Sequence, residues 1–115
     1  MTNRLIALTA AALSLGACGG TTPETSPPWL LRLIEAQMAE PVANPPAYIA
    51  RQEYEAGVFY YLPSRCCDIW SELYDTQGAL VCHPDGGITG DGDGNCPALG
   101  ELVSEEIVWR DPRGQ

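Results

Sequence analysis

The sequence has no lysine and a single histidine, His83. Its six basic residues are all arginines, set against 15 acidic ones, for a formal net charge of −9. A chain of that sign repels phosphate backbones and anionic headgroups, which rules against nucleic acid as a partner and against electrostatic attachment to a membrane. One histidine leaves little material for acid–base chemistry. No Gly-x-Ser-x-Gly is present, and Ser64, Ser71 and Ser104 sit in no nucleophile motif. A triad needs three placed partners, so His83, with Asp85 as its nearby orienter, reads as structural or solvent-exposed rather than as a general base. Cys-x-x-Cys is missing too, which removes the usual zinc-knuckle and dithiol redox spacings. No internal repeat marks a second domain. The uncharged apolar run at residues 5–15 is too short for a spanning helix, which needs about 20 residues.

That short run has another reading. Arg4 precedes it as a positive n-region, and Gly16 and Ala17 place small side chains ahead of Cys18, as a secretory leader requires. Leu15-Gly16-Ala17-Cys18 resembles the lipobox of bacterial lipoproteins, in which the cysteine is lipidated and becomes the first residue of the mature chain. The expected organisation is a signal peptide over 1–17, a lipidated Cys18 with a flexible tether to 28, and one small domain over 29–115. Cleavage leaves 98 of the 115 residues and, with Arg4 gone, a side-chain charge of about −10. The Gly/Pro-rich tether reaches up to about 30 Å from the lipid. Attachment then comes from the lipid on Cys18 alone. Glycine at position 19 points to the outer rather than the inner membrane, by analogy with lipoprotein sorting.

Within the domain, Ser26-Pro27 has the form of a helix N-cap followed by a first-turn proline. Leu30, Leu33, Ile34 and Met38 recur at helical spacing, and Glu40-Pro41 ends the segment. From Tyr48 the period shortens. Residues 48–54 and 58–62 are aromatic and β-branched around Glu55-Ala56-Gly57, which predicts a hairpin. A second hairpin is predicted from Leu73-Tyr74 to Ala79–Cys82, with Asp75 and Gly78 as the first and fourth residues of a type I turn. Leu99, Leu102 and Val103 suggest a short helix, and residues 107–109 a last strand. The fold class predicted is α+β: one N-terminal amphipathic helix packed on a small antiparallel sheet of about four strands.

The four cysteines left after Cys18 are Cys66, Cys67, Cys82 and Cys96. An even number in a small exported domain predicts two disulfides. A vicinal Cys66–Cys67 bridge is disfavoured by geometry. The expected pairings are therefore 66–82 with 67–96, or 66–96 with 67–82. Asp91-Gly-Asp93-Gly-Asn95 offers oxygen ligands at alternate positions, with Asp85 nearby, so Asp85, Asp91, Asp93 and Asn95 form a candidate calcium site. The match to an EF-hand loop fails at position six, Cys96, and at position twelve, Leu102. No other cofactor is implied. The aromatics Tyr48, Tyr54, Phe59, Tyr60, Tyr61, Trp70 and Tyr74 read as core plus ordinary surface, and their exposed face is where a partner would be sought.

Several segments together carry a resemblance: Pro28-Trp29-Leu30, Val58-Phe59-Tyr60-Tyr61, Cys66-Cys67-Asp68, Leu73-Tyr74-Asp75 with Gly78, the stretch from Cys82 through Pro84-Asp85-Gly86-Gly87 to Cys96-Pro97, and Ile107–Arg113. In this order they resemble a family of small bacterial lipoproteins and secreted proteins classed as a domain of unknown function. The resemblance implies an exported, disulfide-bonded single domain and carries over no catalytic residue. Ala98-Leu99 departs from the acidic–aromatic pair of that pattern and suggests aliphatic packing there. The functional expectation is a non-enzymatic, lipid-anchored protein of the cell envelope that binds or supports another envelope protein or a ligand. The alternatives are a calcium-binding module and an exported hydrolase inhibitor.

Overall fold

The computed structural model describes residues 26–65 and 68–114. The leader, Cys18, most of the tether, Cys66 and Cys67 lie outside the described residues. Helix α1 spans Pro28–Met38. Its N-cap is Pro27 rather than the expected Ser26, and no side chain caps it. Pro28 is the reason: a residue before proline is pushed out of the α region, and Pro27 accordingly sits at φ −66°, ψ 151°. The Pro27 carbonyl then accepts from the N–H groups of Leu30 and Leu31 at 3.0 and 3.3 Å. Leu30 is buried with Ile49 and Leu62, while Trp29, Leu33 and Ile34 pack against that cluster. Met38 does not complete the stripe and lies exposed.

Five strands follow: β1 (Tyr48–Tyr54), β2 (Gly57–Leu62), β3 (Glu72–Tyr74), β4 (Leu80–Cys82) and β5 (Leu102–Arg110). They form one sheet in the order β4-β3-β2-β1-β5, with every neighbour antiparallel. The two predicted hairpins are present. In the second, Gly78 takes φ 88° and its N–H donates to the Asp75 carbonyl at 3.1 Å. A Cβ there would collide with the Trp29 indole, so glycine serves both the turn and the packing of α1.

Two expectations fail. The sheet has five strands rather than about four, and the last is longer than expected, because Leu102 and Val103 belong to β5 and not to a short helix. A short apolar run does not distinguish helix from strand by periodicity. The free edge of β1 decides it by pairing along its whole length, from Tyr48↔Arg110 to Tyr54↔Leu102, with irregularities at Ile49/Ala50 and Glu53/Tyr54. Both expected disulfide pairings are also overturned, since Cys82 is bonded to Cys96, with their Cα atoms 5.0 Å apart. Cys82 ends β4, and the chain folds back on itself through glycines 86, 87, 90 and 92, all at positive φ. That turn-rich path brings Cys96 back to Cys82.

Strand alternation gives the sheet two faces. Ile49, Tyr60 and Leu62 face α1, and Trp29 packs edge-on to Tyr60 with ring centroids 5.1 Å apart. Tyr48, Tyr61, Tyr54 and Phe59 lie on the far face, where Tyr48 meets Tyr61 and Tyr54 meets Phe59. Leu73 and Cys82, in register with Tyr61, are buried there without a helix above them. The segment after β4 takes its place. Removing its staple with Cys82→Ala/Cys96→Ala should lower unfolding free energy by about 3 kcal/mol, the loop-entropy value for a loop of about 15 residues. Urea unfolding of the two oxidised proteins measures this.

Candidate functional site

The chain from His83 to Cys96 is fastened to β3 by the residue just ahead of it. Ser71, fully buried, donates its N–H to the Asp85 carbonyl at 2.9 Å and its hydroxyl to the same oxygen at 3.1 Å. The Ser71 hydroxyl also accepts the Asp85 N–H at 3.0 Å. His83 Nδ1 lies 2.8 Å from the Ser71 carbonyl. A carbonyl only accepts, so Nδ1 carries a proton. The ring stacks on Trp70, centroids 4.7 Å apart. Glycine is required at 92, where φ is 74° and a Cβ would run into the His83 carbonyl.

The Asp85 carboxylate does not orient His83. It accepts from the Tyr61 hydroxyl at 2.9 and 3.1 Å, which turns it onto the far face of the sheet. Burial, followed by this bond to a carboxylate, pushes the Tyr61 phenol well above its ordinary pKa. Of the other candidate calcium ligands, Asp93 accepts the Asn95 N–H at 2.9 Å, a bond that holds its carboxyl below the usual range. The Asp91 N–H donates to Thr89 Oγ1. Among the described residues no three His, Cys, Asp or Glu side chains converge on a point where a metal ion would sit.

A second site lies at the end of the sheet, where β1 begins and β2 and β5 end. A cleft of about 570 Å³ opens there between Pro45, Pro46, Pro63, Tyr48, Arg65 and Arg110, with Asp111 at its floor. The Asn44–Pro45 peptide at its rim is cis. Asp111 is buried and gripped by Arg113, whose Nη2 and Nε reach its two carboxylate oxygens at 2.8 and 3.0 Å. The Asp111 Oδ1 also accepts the Arg113 N–H. The same guanidinium donates to the Met38 and Gln37 carbonyls at the end of α1. Arg65 binds the neighbouring oxygens, Gln37 Oε1 at 3.1 Å and the Pro41 carbonyl. The last turn of α1 holds no basic residue of its own, so both cations at its negative end come from elsewhere in the chain.

Sequence reasoning singled out neither Ser71 nor these arginines. Ser71 carries no local signal, since its partner is fourteen residues on. The arginines left a faint one. In a chain without lysine, three of the cations fall at strand ends, Arg65 after β2 and Arg110 and Arg113 at and after the end of β5.

Arg113 holds the Asp111 carboxyl down to about 2, chiefly through its side-chain hydrogen bond. A folded-state value below the unfolded one, about 3.9, gives stability that is present above that pH and lost as pH falls toward 2. The denaturation midpoint should therefore drop between pH 4 and 2, and Asp111→Asn should flatten the drop in that window. Tyr61→Phe should cost about 1–3 kcal/mol by leaving a half-buried carboxylate short of a donor. It should also remove part of the stability lost above pH 10, where a tyrosine with a raised folded pKa destabilises the fold as its unfolded form ionises. Urea titrations across pH report both.

No curated protein and no solved structure matches this chain. Residues 35–111, from the middle of α1 through β5 to Asp111, match the family model described as a domain of unknown function (DUF6970), and the chain belongs to that family.

Proposed function

We propose that this protein is an exported, lipid-anchored component of the bacterial cell envelope that acts by binding and not by catalysis. The anchor rests on the leader and on Leu15-Gly16-Ala17-Cys18. The mode of action rests on one structural observation: the residues with catalytic potential are already occupied in holding the fold. Ser71 is buried and gives its hydroxyl to Asp85, His83 is tied to the Ser71 carbonyl, and Asp85 takes the Tyr61 hydroxyl. A serine nucleophile needs its base within about 3 Å and free to move a proton. Here all three side chains fasten a loop, and the Ser71 hydroxyl is bonded to the Asp85 backbone and not to His83. The cleft at the sheet's end is open to a ligand.

The anchor is tested in cells by metabolic labelling with a palmitate analogue. The parent chain should carry the label and sediment with membranes, and Cys18→Ala should lose the label and accumulate as precursor. An unlabelled, soluble parent chain would sink the proposal. The mode of action is tested by crosslinking in intact cells with His83→Gln. Partner capture should survive this change, whereas its loss in a folded variant would return His83 to the functional site.

A further inference from the structure

We infer that the cleft at the end of the sheet binds a ligand bearing one carboxylate on an apolar body, with the Arg110 guanidinium as its ionic partner. This inference rests on the binding reading above and adds the site and the ligand class. The first argument is charge. Asp111–Arg113 is the one salt bridge among the described residues, so the acid that lines the cleft is already neutralised. Arg65 hydrogen-bonds only neutral oxygens, those of Gln37 and Pro41, and acts on Asp111 through space without an ion-pair contact. Arg110 is exposed at the end of β5 and its guanidinium makes no hydrogen bond or ion pair among the described residues. Two cations without carboxylate partners thus share one concavity in a chain whose net charge is −9. A concave wall of low dielectric concentrates such a field.

The second argument is the number of charges the site will take. Asp85 and Glu105 act on the Tyr48 phenol from the far face, and both raise its pKa after the larger effect of burial, against Arg110, which lowers it. Each is hydrogen-bonded, Asp85 to Tyr61 and Glu105 to Gln52, and both act on Tyr48, which lines the cleft. That background suits a single negative charge and opposes a phosphate dianion. A guanidinium fork matches the two oxygens of a carboxylate. The third argument is the wall itself. Pro45, Pro46, Pro63 and Ala47 offer a stiff apolar surface, and the volume of about 570 Å³ falls within the range of about 300–1,000 Å³ found for small-molecule sites. Prolines lose little freedom when a ligand arrives, so the surface is ready-made.

The carboxylate has two natural sources, a small organic acid or the C-terminus of a peptide. Calorimetric titration of the intact mature chain distinguishes them with four probes: 4-phenylbutyrate, 4-phenylbutyramide, acetyl-Ala-Val-Leu with a free C-terminus, and the same peptide amidated. At least one acid should bind saturably and its amide about tenfold more weakly or worse. Binding of phenylbutyrate alone assigns a small acid, and binding of the free peptide alone assigns a C-terminus. Arg110→Gln should weaken the acid by about tenfold, Arg110→Lys by less, with the melting temperature unchanged because Arg110 holds nothing in place. Equal affinity for acid and amide, undiminished binding by Arg110→Gln, or tighter binding of inorganic phosphate would overturn the assignment. If no probe binds while Cys18 is still acylated and partners are still captured, the carboxylate site falls and the anchored binding module stands.

Discussion

One topological constraint governs most of this domain: β4 and β5 are consecutive in sequence but lie at opposite edges of the sheet. Four strand spacings of about 4.8 Å separate them, so the chain between must travel roughly 19 Å across the sheet. It must also travel along it, because β4 ends beside Leu73 while β5 starts beside Tyr54. A long connection is an entropic liability unless something holds it. Here it is held at three places. Cys82–Cys96 closes its first part, the Ser71–Asp85 bonds fasten it to β3, and the Leu99 and Glu101 carbonyls accept from Ala56 and Glu55 at the β1–β2 turn. The glycines within it allow the sharp reversals that such fastening demands. The crossing chain becomes the second layer of the fold, and Leu73 and Cys82 are buried because of it.

The other face depends on a contact of a different kind. α1 is short, and its apolar residues alone do not set its position. Its negative end is met by two guanidinium groups from the far end of the chain and from the end of β2. Arg113 links the Met38 and Gln37 carbonyls to the buried Asp111, and the Asp111 N–H is itself paired with the Ala47 carbonyl at the start of β1. Arg113 and Asp111 together thus connect the helix, the residue ahead of β1 and the C-terminal segment. Lysine would not replace Arg113, since the fork shared between a carboxylate and two carbonyls needs several fixed donors. Arg65 and Arg113 act as multivalent connectors, while Arg110 stays a solvated surface charge.

Much of this architecture was legible in the residues. Tyr48–Leu62 and Leu73–Cys82 announce their hairpins because turn chemistry and alternation agree, and Asp75 with Gly78 fixes the second turn. What was not legible depended on who lies beside whom. Leu102 and Val103 read as helix until β1 supplies an edge for them to join. Cys82 and Cys96 read as partners of Cys66 and Cys67 until the glycine-rich path brings them to each other. The Asp85 carboxylate accepts from Tyr61, a residue of β2, and no local pattern around 85–95 announces that contact. The Ser71–Asp85 fastening has no local signature at all, since it exists only once β3 is in place.

The same logic separates the two polar sites. Around Ser71 and His83 each polar group has found an internal partner, and the burial of Ser71 excludes a substrate from its hydroxyl. That pattern is the mark of a polar cluster spent on specifying structure, where leaving a member unpaired would cost about 1–3 kcal/mol. Around Tyr48 and Arg110 the balance is reversed. The acid is closed off by Arg113, a cation is left without a partner, and the wall is apolar and stiff. A surface arginine without a partner costs the fold nothing, because water satisfies it. Placed in a concavity beside a second cation, it makes an anion's arrival favourable without any change in the scaffold. The fold consumes the polar groups around Ser71 and leaves the Arg110 guanidinium free at the sheet's end, which is why the proposed carboxylate site lies there.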